Sequence, residues 1–234
     1  MVGVILAAGD GTRLNIKNGC KPLVKVNGVP LVEYSLNNLV ELGISEAYIV
    51  VGRYCNLIRN ALGDNYKGMR IFYVHQPEQK GLINAFVHAL KYIDCGAVLQ
   101  LSDEIFINMK YGKIKECITA SNFDFYCGVT FENDTDKIRK NFSVECDEGY
   151  IIKNCVEKPE VIINNIKGTG FCVFGAEAVS ILKDIYSEEE NLPRELCDFM
   201  NLLTTKGKRG MALNVAEKEL NINTSSDIEE AQCF

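Results

Sequence analysis

The chain of 234 residues has no tryptophan, two histidines, five prolines and no Cys-x-x-Cys pair. Each shortage excludes something. Neither His75 nor His88 lies near paired cysteines, so a structural zinc site lacks its ligand set. The ten cysteines, Cys20, Cys55, Cys95 and Cys172 among them, are scattered, several within apolar runs. They read as free thiols of a reducing compartment. No window holds ~18 uninterrupted apolar residues, so no membrane-spanning helix is expected. The apolar start, Met1–Ala8, is too short to span. It also lacks the basic start and cleavage site of a signal peptide. These features predict a cytoplasmic chain with no membrane partner. Basic charge is in deficit as well: 25 Lys and Arg against 31 Asp and Glu give a net charge of −6. That argues against a nucleic-acid binder, because neutralising a phosphate backbone takes clustered Lys and Arg. A small anionic ligand stays open, since a few basic side chains and backbone N–H groups suffice for one.

What is present is a globular composition, with 47% hydrophobic and 24% charged residues, enough apolar material for a substantial core. No repeat, low-complexity tract or Pro/Gly linker divides the chain, so one domain in two parts, about 1–120 and about 121–234, is the economical reading. Val2–Leu6 reads as a short buried strand. Pro30 opens a helix with apolar Val32, Leu36, Leu39 and Val40, and Gly43 ends it. Ala47–Val51 and Ile71–Val74 are strands, Gly81–Ile93 is a helix, and Ala97–Leu101 is a buried strand. That alternation implies a largely parallel sheet with right-handed crossovers. Beyond about residue 120 the strands Phe125–Phe131, Phe142–Cys146, Tyr150–Val156 and Phe171–Phe174 follow one another across turns, as in a mixed or antiparallel sheet. Helices near Ala176–Tyr186 and Pro193–Thr204, a strand near Met211–Val215 and a short helix after Ser225 complete the chain. The Tyr and Phe residues are assigned to the core, and His88 to a structural place in its helix.

The most informative stretch is Leu6-Ala7-Ala8-Gly9-Asp10-Gly11-Thr12-Arg13-Leu14. A buried strand that ends in a glycine turn presents consecutive N–H groups able to cradle phosphate oxygens. Arg13 adds a bidentate cation. The stretch is not a GxxxxGK loop, because no Lys follows the second glycine. It is not GxGxxG either, because no third glycine follows. Asp103 sits just past the Ala97–Leu101 strand, where parallel sheets place ligands.

The stretch LAAGDGTRL, followed by Lys21-Pro22-Leu23 and Val26-Asn27-Gly28-Val29-Pro30-Leu31, resembles the nucleotidylyltransferase superfamily that makes NDP-sugars. Further pieces follow in the family's order. They are His75-Gln76-Pro77 with Gly81-Leu82, Leu101-Ser102-Asp103-Glu104, Val156-Glu157-Lys158-Pro159, Gly168-Thr169-Gly170-Phe171, and Asn221-Ile222-Asn223-Thr224 with Asp227-Ile228. Together they span nearly the whole chain. The resemblance implies an α/β fold, a Rossmann-like α/β/α sandwich with a mixed, mostly parallel central sheet. It implies that a sugar 1-phosphate attacks the α-phosphorus of an NTP and pyrophosphate leaves. Such a transfer needs positioning and charge stabilisation more than covalent help.

On this resemblance Leu6, Ala7, Ala8, Gly9, Gly11, Thr12 and Arg13 hold the nucleotide, with Gln76 and Gly81 at the base. Gln76 can read a base edge, since its amide both donates and accepts, and its context in the family favours a pyrimidine. Arg13, Lys21 and Asp103 carry the chemistry, Lys21 by neutralising charge at the α-phosphate. Glu157, Lys158 and Gly170 bind the acceptor, Lys158 through its phosphate. Mg²⁺ is the implied cofactor, held by Asp103 with Asn221 or Asn223 and the phosphates. Asn221, which matches the first acid in both tail patterns of the family, ranks first of the two. Several departures are visible. The Arg13-to-Lys21 spacing is short, Ser102 replaces a glycine, and the two asparagines stand where relatives often carry acids. The chain ends without a left-handed β-helix, so no acyltransferase activity is expected. One competing reading keeps the chemistry and changes the acceptor: a cytidylyltransferase acting on choline phosphate, inositol phosphate or a phosphonate. Another is a non-catalytic nucleotide or sugar-phosphate binder. Neither the sugar nor the oligomeric state is readable.

Overall fold

A computed structural model of the chain describes residues 1–9, 11, 14, 19–187 and 193–234. Strand β1 (Val2–Ala7) leads through a short 3-10 turn (Lys21–Leu23) and the hairpin β2 (Lys25–Val26) and β3 (Val29–Pro30) into α1 (Leu31–Glu41). Then come β4 (Glu46–Val51), α2 (Cys55–Leu62), β5 (Asn65–Tyr66), β6 (Met69–His75), α3 (Leu82–Leu90), β7 (Ala97–Leu101), β8 (Glu104–Ile107) and α4 (Tyr111–Ala120). The second part runs β9 (Phe125–Phe131), α5 (Thr135–Arg139), β10 (Phe142–Cys146), β11 (Ile152–Glu157), β12 (Ile166–Phe174), α6 (Ala176–Ser187), α7 (Leu196–Thr205), β13 (Gly210–Asn214), β14 (Lys218–Asn221) and α8 (Ser225–Gln232).

The central sheet is mixed. In its first half β1 pairs in parallel with β4 and β7, and β4 with β6. Strand β12 then runs antiparallel to β7, β9 and β10, and β13 lies parallel to β9. The ladder also curls: Ala212 N donates to Tyr150 O at 2.9 Å and Ile151 bridges Met211. Side chains alternate between the two faces, as the period of two in a strand requires. From β1, Val4 and Leu6 join a core with Phe86 of α3, Leu182 of α6 and Phe199 of α7. Ile5 and Ala7 join the opposite core with Leu36 of α1, Ile58 of α2 and Ile114 of α4. Helices therefore cover both faces, giving the α/β/α sandwich the sequence predicts.

The strands at Ala97–Leu101, Phe125–Phe131 and Phe142–Cys146 lie as expected, and His88 sits in α3. Other elements differ. Helix α2 separates β4 from β6, and Ile58 and Leu62 are its only fully buried residues, a stripe too thin to stand out in the sequence. The expected strand at Phe171–Phe174 begins at Ile166, because a bulge between Gly168 and Cys172 interrupts its register with β9. Strands β8 and β14 form a separate two-stranded sheet. Phe72, Phe131, Tyr92 and Tyr150 are exposed aromatics, a correction to their assignment to the core. Among the described residues no helix is long and apolar enough to cross a membrane, and all ten cysteines are free thiols.

The bulge is pinned from below. Thr169 Oγ1 donates to Gly128 O at 2.9 Å and accepts from Phe171 N at 3.2 Å. A Cβ on Gly128 would lie 2.5 Å from the backbone oxygen of Phe171 and 3.0 Å from Thr169 Oγ1. Backbone cannot yield as a side-chain tip does. Gly128→Ala is expected to destabilise the fold by about 1–3 kcal/mol, read as a lowered midpoint of denaturant unfolding.

Candidate active site

The parallel strands end at one rim, and Lys21, Asp103, Asn221 and Asn223 gather there. At the tip of β1, Leu6 O accepts from Ser102 N at 3.1 Å, tying the glycine loop to the turn after β7. Pro22 is buried in the 3-10 turn that carries Lys21. That turn holds the ammonium against Asp103 Oδ2 and 3.0 Å from Asn223 Oδ1. A Cβ on Gly11 would lie 2.7 Å from Lys21 Cβ, so the loop packs directly on this lysine. Thr12 and Arg13 lie outside the described residues.

The tail reaches the same point through the β8–β14 ladder. Asn221 is paired with Glu104, and Ile222 N donates to Asp103 O at 2.9 Å. Helix α8 is capped by Thr224 in a capping box with Asp227. Asp227 Oδ2 also accepts from Asn223 N at 2.8 Å. This cap fixes Asn223 while the helix N-terminus is satisfied. Asn223 Nδ2 then donates to Asn221 Oδ1 at 2.7 Å. The sequence ranks Asn221 first as a cation ligand, yet the amide oxygen that meets a cation here is that of Asn223.

A cleft of about 380 Å³ opens on one side of Lys21 and Asp103, lined also by Leu6, Ala8, Gly9, Gln76 and Gly81. Ala7 is not part of that lining, and its side chain faces the opposite core. Gln76 is 5% exposed, and its Nε2 donates to Asn84 Oδ1 at 2.9 Å. Gln79 Nε2 donates to Ala8 O at 2.9 Å, and it lines the cleft too. The sequence reading passed over Gln79, although two glutamines three positions apart before Gly81 are a visible signal.

On the other side lies a cavity of about 610 Å³, walled by Asn221, Asn223, Lys158, Lys140, Lys137 and Arg139, among others. Lys158 has a left-handed backbone with φ of 43° and a 70% exposed side chain 3.8 Å from Glu157 Oε1. Glu157 itself is exposed and lines neither cavity. Cys197 Sγ donates to its Oε2 at 3.8 Å. Partial burial raises the Glu157 carboxyl, and the charge of Glu195 adds to that.

Three buried charged residues that the sequence reading missed lie under the rim. Glu104 accepts the Gly170 N–H on both carboxylate oxygens, at 2.8 and 2.9 Å. A Cβ on Gly170 would lie 2.3 Å from Leu101 Cγ and 2.9 Å from Glu104 Oε1, so this glycine's role is close approach to the rim. Lys167 and Glu219 form a buried ion pair. The available signal was a lysine inside a strand with no other charge; the segment around Glu219 carried none. Burial, then the charges of Glu219 and Asp103, push the Glu104 carboxyl well above the usual range. The Gly170 N–H and Lys167 act in the opposite direction.

Residues 2–228 match the family model described as nucleotidyl transferase, and the chain belongs to that family. The UTP–glucose-1-phosphate uridylyltransferase AglF of Haloferax volcanii is 31% identical over 234 residues, covering 99% of this chain and 95% of its own. A putative glucose-1-phosphate thymidylyltransferase of Bacillus anthracis, solved with sucrose, superimposes with a TM-score of 0.86. It is 20% identical and covers 100% of this chain and 94% of its own. The inositol-1-phosphate CTP transferase of T. maritima gives a TM-score of 0.80 at 21% identity, with 99% and 94% covered.

A raised carboxyl holds its proton more tightly in the folded state than in the unfolded chain. Stability from Glu104 is therefore full below the unfolded value near pH 4.3 and declines as pH rises above it. Glu104→Gln removes that titration and retains an acceptor for Gly170. Denaturant unfolding of Glu104→Gln between pH 4.5 and 8 is expected to show a shallower loss of stability with rising pH than the parent protein.

Proposed function

We propose that this chain transfers a nucleotidyl group from an NTP to a sugar 1-phosphate, releasing pyrophosphate. The carrying observation is that Lys21, Asp103 and Asn223 converge where a cleft bearing the glycine loop meets a cavity with an excess of basic side chains. The family, and the AglF relative at 31% identity, support the same reading. The NTP lies in the first cleft, with Leu6, Ala8, Gly9 and Gly11 at its phosphates. The resemblance adds Thr12 and Arg13 there. Gln76 and Gly81 face the base, and the family context of Gln76 supports a pyrimidine. The acceptor lies in the second cavity, its phosphate on Lys158; Glu157 and Gly170, which the resemblance adds as acceptor-binding residues, lie outside the lining of that cavity. The first part of the chain, to about residue 120, thus serves the nucleotide and the remainder the acceptor. Ten free thiols fit a cytoplasmic enzyme.

In this arrangement an acceptor phosphate oxygen attacks the α-phosphorus in line. The bond from that phosphorus to the bridging oxygen breaks, and pyrophosphate departs with the electron pair. Lys21 stands where charge develops on the α-phosphate. Asp103 and Asn223 already surround one cation, the Lys21 ammonium, with oxygen donors alone. That donor chemistry fits Mg²⁺, which takes oxygens from one or two protein groups and completes its shell with phosphates. Bound there with Asp103 and Asn223, Mg²⁺ would supply further neutralisation of the triphosphate.

Pyrophosphate release measured for each NTP against glucose 1-phosphate, inositol phosphate, choline phosphate and a phosphonate tests the proposal. A sugar 1-phosphate with UTP or dTTP is expected to give the fastest turnover. Selective use of CTP with a non-sugar phosphate would replace this reading with a cytidylyltransferase, and no release with any pair would leave a binding protein. In the productive pair, Lys21→Ala should lower kcat by about 100-fold or more with the melting temperature kept.

Lys158→Ala addresses the second substrate. A point charge on the acceptor phosphate acts in both the ground and transition states. Initial rates should show a raised KM for the acceptor and an unchanged KM for the NTP, whereas a change confined to the NTP would move Lys158 to the other substrate.

A further inference from the structure

The floor of the second cavity contains an unusual pair. Lys167 on β12 and Glu219 on β14 line it, yet their side chains are 2% and 1% exposed. Lys167 Nζ donates to Glu219 Oε2 and, at 3.5 Å, to Glu219 O. Both bonds go to one residue, and an ammonium has three N–H donors, so one remains. Glu219 Oε1 is fully buried and has no hydrogen-bond partner. A buried carboxylate oxygen left unpaired is costly. The ion pair beneath the floor of this cavity therefore has one spare donor and one spare acceptor.

Position adds to this. Glu219 lies two residues before Asn221 on β14, so the two share a face of the strand. Both line the cavity that also holds Lys158 and Asn223. A ligand whose phosphate meets Lys158 can turn its remaining groups toward the pair. A carboxylate on that ligand could only accept, and would face the Glu219 oxygen. An ammonium could only donate, and would face Lys167. A quaternary amine could do neither. A hydroxyl both donates and accepts, and so satisfies both spare groups.

We infer that Lys167 and Glu219 are specificity-determining residues that read a hydroxyl of the phosphorylated acceptor, which makes the acceptor a polyol phosphate. The inference rests on the placing of the acceptor beside Lys158. It goes beyond that placing in naming the residues that select among acceptors and the group they select. Lys167 donates to the hydroxyl oxygen, and the hydroxyl proton goes to Glu219 Oε1. Binding the acceptor then completes the hydrogen bonding of the buried pair.

The test is a binding cycle. Calorimetry would measure α-D-glucose 1-phosphate, its four monodeoxy analogues, myo-inositol 1-phosphate and choline phosphate against the intact chain with Mg²⁺ and a non-transferable NTP analogue. The same titrations are made on a Lys167→Met/Glu219→Leu double variant. Replacing both partners of a buried pair with apolar residues of similar volume usually preserves folding. Should that variant not melt cooperatively, Glu219→Gln, which keeps the shape and loses the charge, takes its place. The parent protein is expected to bind a polyol phosphate at least about 10-fold tighter than choline phosphate. Removal of one particular hydroxyl should cost about 10- to 100-fold. That cost should fall to nearly none in the double variant, or to a few-fold in Glu219→Gln. An equal cost in parent and variant, or choline phosphate binding as well as the polyol phosphates, overturns the inference. Pyrophosphate release with a transferable NTP, read in parallel, judges the transfer reaction separately. Its absence would sink nucleotidyl transfer while the binding cycle still decides the role of the pair.

Discussion

The pairing of β8 with β14 is the constraint on which the rest of the site depends. It brings residues more than a hundred positions apart in sequence into register and sets Ile222 N on Asp103 O. Without it, Asn223 would have no reason to lie near Lys21. The ladder is short, so its backbone bonds alone cannot hold it. Leu220, Ile222 and Ile105 are buried with Val26 and Leu31 in a small third core, and Ala231 of α8 closes it. The hairpin β2–β3, the start of α1 and the last helix thus anchor one corner of the molecule, and that corner is where two cavities meet.

Directly beneath lies a layer of buried charge. Glu104, Lys167 and Glu219 are each 3% exposed or less. A sandwich core of this kind does not need them, since buried ion pairs contribute little net stability once desolvation is counted. What they contribute is placement. Glu104 draws the Gly170 N–H out of the β12 ladder at a bulge, and the bulge leaves Gly170 close beside Leu101 and the turn that carries Asp103. Lys167 clamps β12 to β14, joining the small sheet to the large one. The same pair borders the second cavity.

Much of this was legible from residues alone. The parallel half could be read because β1, β4 and β7 are apolar runs bounded by turn signals, and α1 and α3 carry wide apolar stripes. The loop residues, Lys21, Gln76 and Asp103 could be named because they follow those strands in a recognisable order. What could not be read depends on contacts distant in sequence. Lys218-Glu219-Leu220-Asn221 has no strand character until β8 lies beside it. Glu219 and Leu220 are both buried while Lys218 and Asn221 are partly exposed, so the usual alternation of a half-exposed strand is missing. The contact of Asn223 with Lys21 depends on the α8 cap, which orients Asn223. Helix α2 was missed because two buried residues in eight make a faint periodic signal.

Asn201 on α7 has a consequence for how the sheet ends. Its amide accepts from Cys155 N and donates to Cys155 O, both at 2.8 Å, on the side of β11 away from β10. One side chain here reproduces the two bonds of a neighbouring strand. With Ile151 already bridged to β13, the outer border of β11 is stapled at its beginning and again at its middle. An extended peptide seeking to add itself there would find the main-chain donor and acceptor of Cys155 taken and a helix across its path. Proteins commonly blunt such borders with charge or proline. This one uses a single carboxamide, which guards against chain-to-chain propagation without placing a charge beside Glu157.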